Sequence, residues 1–303
     1  MKVRSPASGT SSADPHGLAP LWDALMEIYD AFAALAMKHK WRWYVAYGNA
    51  LGAIRHNGDF VPWDDDLDLV MPRNDYERFR KVANSELPAC YRWVDYRNTA
   101  SYPYLFGKIM DIRREVHDHV QRETGQVLPQ GLHIDIWPLD GFPTTFFRKA
   151  WRWLQRQSLR FAMEYRTADY QTRRTHCLSH PIPWLCACLR PGLRTPRDFL
   201  RAMDAHARSY SMDGAELCGR PVHRWYELEF IRPVGVFGEP KMARFHGRIV
   251  PLPGDIERYL RLEYGDWEKL PPVAERRPTH GNSFEAPWKF GSDVPMGGSD
   301  KSI

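Results

Sequence analysis

The sequence predicts an α+β fold, a mixed sheet flanked by helices with an inserted helical subdomain, and three observations lead there. Short alternating or β-branched runs recur at residues 43–47, 66–70 and 132–137 instead of forming one block. Helical spacing fills the stretches around the first two of them. Between residues 144 and 220 the texture then turns helical, basic and Trp/Arg-rich. The 303 residues suffice for a substantial core, and 43% hydrophobic with 26% charged residues describes an ordinary globular chain.

Residues 1–19, rich in Ser, Ala, Pro and Gly, are expected to be disordered. Leu21, Leu25, Ile28, Tyr29, Phe32 and Leu35 keep helical spacing, and Lys38-His39-Lys40 suits the C-terminal dipole of that helix. Residues 43–47 read as a strand running into a Gly48-Asn49 turn, with a short helical start at 50–55. The alternation of Asp66-Leu67-Asp68-Leu69-Val70 reads as the next strand, and Asn74 with Glu77 as a capping box for a helix burying Tyr76, Phe79 and Val82. Residues 91–94 and 104–112 are strand-like, and 132–137 alternates until Pro138. Gly254-Asp255 opens a last helix that Gly265 stops. The organisation expected is therefore a core at 20–143, a helical basic insertion at 144–220, a returning part at 221–282 and a flexible tail at 283–303.

Net charge is +5, concentrated between Arg148 and Arg174, where eight basic residues face two acidic ones. Residues 147–174 read either as a packed surface helix or as a peripheral contact with an anionic membrane surface. A nucleic-acid partner is not expected, since the charge is modest and no basic-aromatic module appears in order. The N-terminus lacks an apolar signal region, no apolar run approaches the roughly 18 residues of a membrane span, and five cysteines are irregularly spaced. A cytoplasmic protein with reduced thiols is the expectation, peripheral to the inner face of the membrane if the basic stretch binds it. His176, Cys177, His180, Cys186 and Cys188 crowd together, but their spacing matches none of the usual zinc pairs.

The chemistry lies in the aspartates. Residues two apart on a strand share a face, so Asp66 and Asp68 should project together, about 6.6 Å apart. Two such carboxylates repel unless a cation lies between them, and hard oxygen ligands suit Mg²⁺ or Mn²⁺. Asp135, between Ile134 and Ile136, can supply a third carboxylate from a neighbouring strand, as a metal ligand or as a base. Asp64 and Asp65 are further base candidates that the sequence does not rank. Upstream, Gly48-Asn49 at a strand-to-helix junction is a phosphate-binding device. Arg55 and Lys108 are candidate phosphate contacts, His133 shares the face of Asp135, and Arg276, Arg277 and His280 lie in a Pro-bounded loop that could close over a ligand. The tryptophans at 41, 43, 63 and 137 could cage a quaternary ammonium.

Strand, Gly-polar turn, helix start, Asp-x-Asp strand and a later lone Asp on another strand form a layout that resembles the nucleotidyltransferase fold of polymerase-β-like enzymes. The likeness narrows with the residues. Tyr47-Gly48-Asn49-Ala50-Leu51-Gly52-Ala53-Ile54-Arg55-His56, then Pro62-Trp63-Asp64-Asp65-Asp66-Leu67-Asp68, then Pro72-Arg73 with Asp75-Tyr76, look like the signature of the LicD family, which has fukutin and fukutin-related protein as distant animal relatives. His133-Ile134-Asp135-Ile136-Trp137-Pro138 and Tyr264-Gly265-Asp266-Trp267 continue it. Asn49-Ala50 stands where the family pattern reads Thr-Leu. The resemblance implies metal-dependent transfer of a phospho-alcohol, such as phosphocholine or ribitol phosphate, from a CDP-linked donor to a glycan hydroxyl, with release of CMP; the acceptor could be lipid-linked. Asp66, Asp68 and Asp135 would hold Mg²⁺ or Mn²⁺. The rival readings are a nucleotidyltransferase that uses an NTP and releases pyrophosphate, and a glycan- or nucleotide-binding pseudoenzyme.

Overall fold

In the computed structural model the helically spaced Leu21, Leu25, Ile28, Phe32 and Leu35 are all buried along α1 (Ala19–Lys38). The structure describes residues 14–99, 102–114, 131–167, 181–220 and 231–278. The carboxylate of Asp14 accepts from the N–H groups of Leu18 and Ala19, so the end of the segment expected to be disordered caps a helix. Residues 1–13, His176, Cys177, His180, His280 and the tail from 283 lie outside the described residues.

After α1 come β1 (Tyr44–Val45), α2 (Tyr47–Arg55), β2 (Asp68–Pro72), α3 (Arg73–Glu86), β3 (Tyr91–Val94), β4 (Gly107–Asp111) and β5 (Leu132–Phe142). Among the described residues three helices follow, α4 (Phe146–Thr167), α5 (Pro181–Cys188) and α6 (Pro196–Ala207). The chain then adds β6 (Leu217–Gly219), β7 (Ile231–Pro233), a hairpin of β8 (Lys241–Phe245) and β9 (Arg248–Leu252), and α7 (Ile256–Tyr264). The main sheet runs β1-β2-β5-β4-β3, with β6 on the far end of β5 and β7 beside β6. β2 and β5 are parallel and the remaining pairs antiparallel, which makes the sheet mixed.

Alternation decides what each sheet face carries. Leu69, Met71, Ile109, Ile134 and Ile136 share one face and are fully buried. α1 and α3 pack there: Phe32 of α1 meets Phe79 of α3 edge-on at 5.2 Å, and Phe79 meets Trp93 of β3 at 5.1 Å. Burying each of these side chains contributes roughly 1.5–3 kcal/mol. Gly107 is required beneath Trp93, because a Cβ there would run into the indole ring. The opposite face carries Asp68, Asp135, Lys108, His133 and Trp137.

Three local expectations are corrected. β2 begins at Asp68, so Asp66 precedes the strand. β5 runs through Pro138, because its pairing with β4 reaches only to Ile136 and its pairing with β6 begins at Asp140; the proline falls between those two partners, where a missing N–H is tolerated. Asn74 does not cap α3, which starts at Arg73 with no side-chain cap, and its amide donates to Asp213 instead.

The basic stretch is joined to the sheet by burial and by charge. Leu159 of α4 and Leu200 and Met203 of α6 pack with Val94, Tyr96, Leu105 and Met110. Beside them Arg73, at the head of α3, donates twice to Asp140 of β5, at 2.7 and 2.5 Å, and at 3.1 Å to Asp204 of α6. Asp204 also accepts from Tyr96 and pairs with Arg97. Burial alone would raise the Asp204 carboxyl, but Arg73, Arg97 and Arg208 outweigh it and hold the group below the usual carboxylate range.

Removing one partner of such a cluster strands buried charge. Arg73→Met should therefore cost about 3–5 kcal/mol in urea unfolding. Because the folded Asp204 is depressed, its contribution is present above the unfolded carboxylate pKa, about 3.9, and disappears as pH falls through the lower folded value. The wild-type advantage over Arg73→Met should shrink correspondingly below about pH 4.

Candidate acidic site and adjoining pocket

The parallel register of β2 on β5 places Asp68 directly opposite Asp135, and the antiparallel register of β4 places Lys108 opposite Asp135 on the other side. One carboxylate, a second carboxylate and an ammonium thus form a row across three adjacent strands. Lys108 Nζ is 2.9 Å from Asp135 Oδ1 and 2.7 Å from His133 Nε2. His133 Nδ1 faces the carbonyl of Gly131 at 2.9 Å, so it carries the proton and Nε2 accepts from the lysine. On the far side of the row, Trp137 Nε1 donates to Asp68 Oδ1 at 2.9 Å.

The loop before β2 adds more negative charge. Asp64 and Asp66 share a hydrogen bond, and Asp65 is buried beside them. Burial raises the Asp64 carboxyl well above its ordinary range, and the charges of Asp66, Asp68 and Asp65 raise it further. Asp68 is pushed up to about 8, first by burial and then by Asp66 and Asp135, against the opposing pull of Trp137 and Arg220. Like charges confined in low dielectric do this to one another.

Asn49 holds this loop. Its Nδ2 donates to the carbonyl of Asp66 at 2.9 Å and to Asp64 Oδ2 at 3.3 Å, and its Oδ1 accepts from the N–H of Asp68 at 2.8 Å. Trp22 of α1 adds a fourth tie, donating to the carbonyl of Asp64 at 2.8 Å. The expected Gly48-Asn49 turn is instead the first turn of α2, which starts at Tyr47 with φ +48°. The Asn49 side chain, expected to contact phosphate, is spent on the acidic loop. Gly48 is required because a Cβ would collide with the Asp64 carboxylate.

A pocket of about 470 Å³ opens against Asp64 and Gly48. α2 contributes Arg55, the loop before β2 contributes Trp63, the end of α7 contributes Tyr264, and the segment after it contributes Trp267 and Arg277. Arg55 Nη1 donates to the carbonyls of Trp267 at 2.9 Å and Lys269 at 3.3 Å, so it ties that segment over the pocket. Burial holds the Arg55 guanidinium below its ordinary pKa. Arg276 donates to the carbonyl of Pro271 and lies 5.9 Å from the Trp63 ring; its neighbour Arg277 lines the pocket.

The aromatic cage does not form from four tryptophans. Trp41 packs on Phe79 and Trp43 on Phe32 in the core, while Trp63 and Trp137 stand at the site. Arg220 is a residue that local spacing does not reveal. Its guanidinium lies 4.5 Å from the ring of Tyr47 and 4.4 Å from that of Trp137, within reach of Asp68. It arrives there because β6 ends at Gly219, paired with Asp140 of β5.

Which residues fit a cation follows from this geometry. Among the described residues no three His, Cys, Asp or Glu side chains close into a ready cage. Asp135 is held by Lys108. Asp66 and Asp68, with Asp64 beside them, are hard oxygen donors. They suit a divalent ion that completes its shell with phosphate and water oxygens.

Comparison with known proteins gives this arrangement a family. Residues 40–184 match the family model described as LicD/FKTN/FKRP, nucleotidyltransferase domain. Over those residues the chain carries a LicD-type domain. It is 26% identical over 263 residues to the lipopolysaccharide cholinephosphotransferase LicD of Haemophilus influenzae, covering 84% of this chain and 92% of that protein. The match takes in α2, the acidic loop, β2 and β5, which carry the site.

Asn49→Ala should release the loop. It leaves the N–H of Asp68 and the carbonyl of Asp66 without their partner at a fully buried position, a loss of about 2–3 kcal/mol in urea unfolding. An unchanged midpoint would show that the asparagine does not hold the acidic segment.

Proposed function

We propose that this protein is a phosphotransferase on a nucleotidyltransferase-type fold that moves a phospho-alcohol from a CDP-linked donor to a hydroxyl of a glycan, releasing CMP. The observation that carries the reading is the row of Asp68, Asp135 and Lys108 set beside a pocket floored by Asp64 and roofed by aromatic and arginine side chains. Such a layout supplies negative charge for a divalent ion and positive charge for phosphate in one place. The family relative, a cholinephosphotransferase acting on lipopolysaccharide, supports phosphocholine as the transferred group and a bacterial surface glycan as acceptor.

In this reading Asp66 and Asp68 hold Mg²⁺ or Mn²⁺. Such an ion supplies charge neutralisation to a diphosphate, which phosphoryl-type transfer needs more than covalent help. Arg277 and Arg55 set the donor in the pocket, and Trp63 and Trp267 offer faces for a base or for a quaternary ammonium. Lys108, fixed between Asp135 and His133, lies where it balances charge beside the reacting phosphate. The acceptor oxygen forms the new bond to the phosphorus bearing the alcohol as the bond to CMP breaks, and the acceptor proton passes to a carboxylate. Asp64 is the carboxylate that the pocket reaches, and it takes the acceptor proton. Asp65 is 2% exposed and less available. Asp135, tied to Lys108, acts by positioning it.

The test is nucleotide release from a panel of CDP-linked alcohols and all four NTPs with Mg²⁺, read by chromatography. CMP from one CDP conjugate is expected, falling on the order of 10²–10³-fold in Asp66→Asn and Asp68→Asn and abolished by EDTA. Pyrophosphate released from an NTP would replace this reading with nucleotidyl transfer. No release from any donor, with or without glycan acceptors, would favour a binding protein.

A further inference from the structure

Helix α4 is built inside out. Phe147, Trp151 and Leu154 fall on one helical face and are all exposed, with Phe146 and Trp153 exposed on its flank. The opposite face carries Arg152, Arg156 and Arg160, and these arginines are the buried ones, at 2%, 3% and 4% exposure. Arg152 lies between the rings of Phe142 and Tyr210 and donates to the carbonyls of His206 and Ala207. An ordinary surface helix would turn the arginines outward and the tryptophans inward.

α5 packs along α4 and continues the pattern with exposed Ile182, Trp184 and Leu185, followed by Leu189. Eight of the seventeen large hydrophobic side chains exposed among the described residues therefore stand on these two neighbouring helices, with Leu189 directly after them as a ninth. A concentration of this kind marks a surface that something covers.

Charge indicates what covers it. Residues 144–196 hold ten basic and two acidic side chains, and with the buried Arg152, Arg156 and Arg160 set aside seven basic ones still face two acidic, a net +5 in this stretch alone. Arg148, next to Phe147 on α4, and Arg194, beyond α5, are exposed. Aromatic and aliphatic side chains rimmed by cations are the composition that inserts at a headgroup boundary, where the rings enter the interface and the cations meet lipid phosphates. Among the described residues no helix is long and apolar enough to cross a membrane, so the contact is peripheral.

We propose that the outer face of α4 and α5 docks this protein on the surface of an anionic phospholipid bilayer. β5 links that face to the acidic site. Asp135 lies near its start, and α4 begins four residues beyond its end at Phe142, about 23 Å of strand separating Asp135 from Phe142. The docking rests on the patch and its charge, and it stands or falls separately from the reaction proposed above.

The experiment is co-sedimentation of the full chain with phosphatidylcholine vesicles, with and without phosphatidylglycerol, at low and high salt. The wild type should bind the phosphatidylglycerol vesicles, bind phosphatidylcholine alone much more weakly, and lose affinity as salt rises. Trp151→Ser with Leu154→Ser, and separately Trp184→Ser with Leu185→Ser, should each weaken binding about tenfold or more while circular dichroism and melting temperature stay as in the wild type. Two unrelated pairs of positions protect the result against one pair failing to fold. Absence of wild-type binding to phosphatidylglycerol vesicles, or equal binding by both folded variants, overturns the proposal. So does conversion of a wild-type oligomer to monomer by these variants with vesicle binding unchanged, which would make the face a contact between copies of this chain.

Discussion

Everything at the site depends on confining like charges. Four carboxylates, Asp64, Asp66, Asp68 and Asp135, are brought together by one parallel strand register and one short loop, where burial and mutual repulsion raise at least two of them. Such a cluster opposes folding unless the surroundings hold it. The neighbouring elements contribute the restraint: Asn49 of α2 bonds the loop at three points, Trp22 of α1 holds its backbone, Trp137 of β5 donates to Asp68, and Lys108 of β4 balances Asp135. Four elements converge on one acidic segment, and the remaining strain is the charge demand that makes the place suited to a cation and phosphate.

The rest of the fold supports that confinement at a distance. Ile134 and Ile136 anchor β5 against α1 and α3 on one face, so that Asp135 and Trp137 must emerge on the other. Arg73 locks the far end of β5 to α6 through Asp140 and Asp204, which ties the basic helices to the strand that carries the site. The return of the chain after α7 closes the pocket, and Arg55 fastens that segment by its carbonyls.

How much of this could be read from the sequence follows the range of the interactions. α1, β3, β5 and α7 were legible because helical spacing, alternation and an Asp cap are local signals. Asp68 and Asp135 were legible as partners because each alternates with buried aliphatic neighbours. Asp66 was not placed correctly, since alternation continued one step beyond the point where β1 and β5 still offer partners to β2. Gly48 and Asn49 are expected at a turn, but the fold puts them in the first turn of α2 and in contact with Asp64, Asp66 and Asp68, 15 to 19 residues away. Arg220 and the Arg73 cluster were silent because their partners stand tens of residues distant and only sheet pairing brings them near.

The claim that repulsion among these carboxylates is the governing term has a direct measurement. Calorimetric melting of the wild type and of Asp68→Asn, each with and without Mn²⁺, separates the charge term from the packing term. The account predicts that Asp68→Asn melts higher than the wild type without metal, and that Mn²⁺ raises the wild type but not the variant. A variant that melts lower than the wild type, with neither protein responding to Mn²⁺, would contradict it.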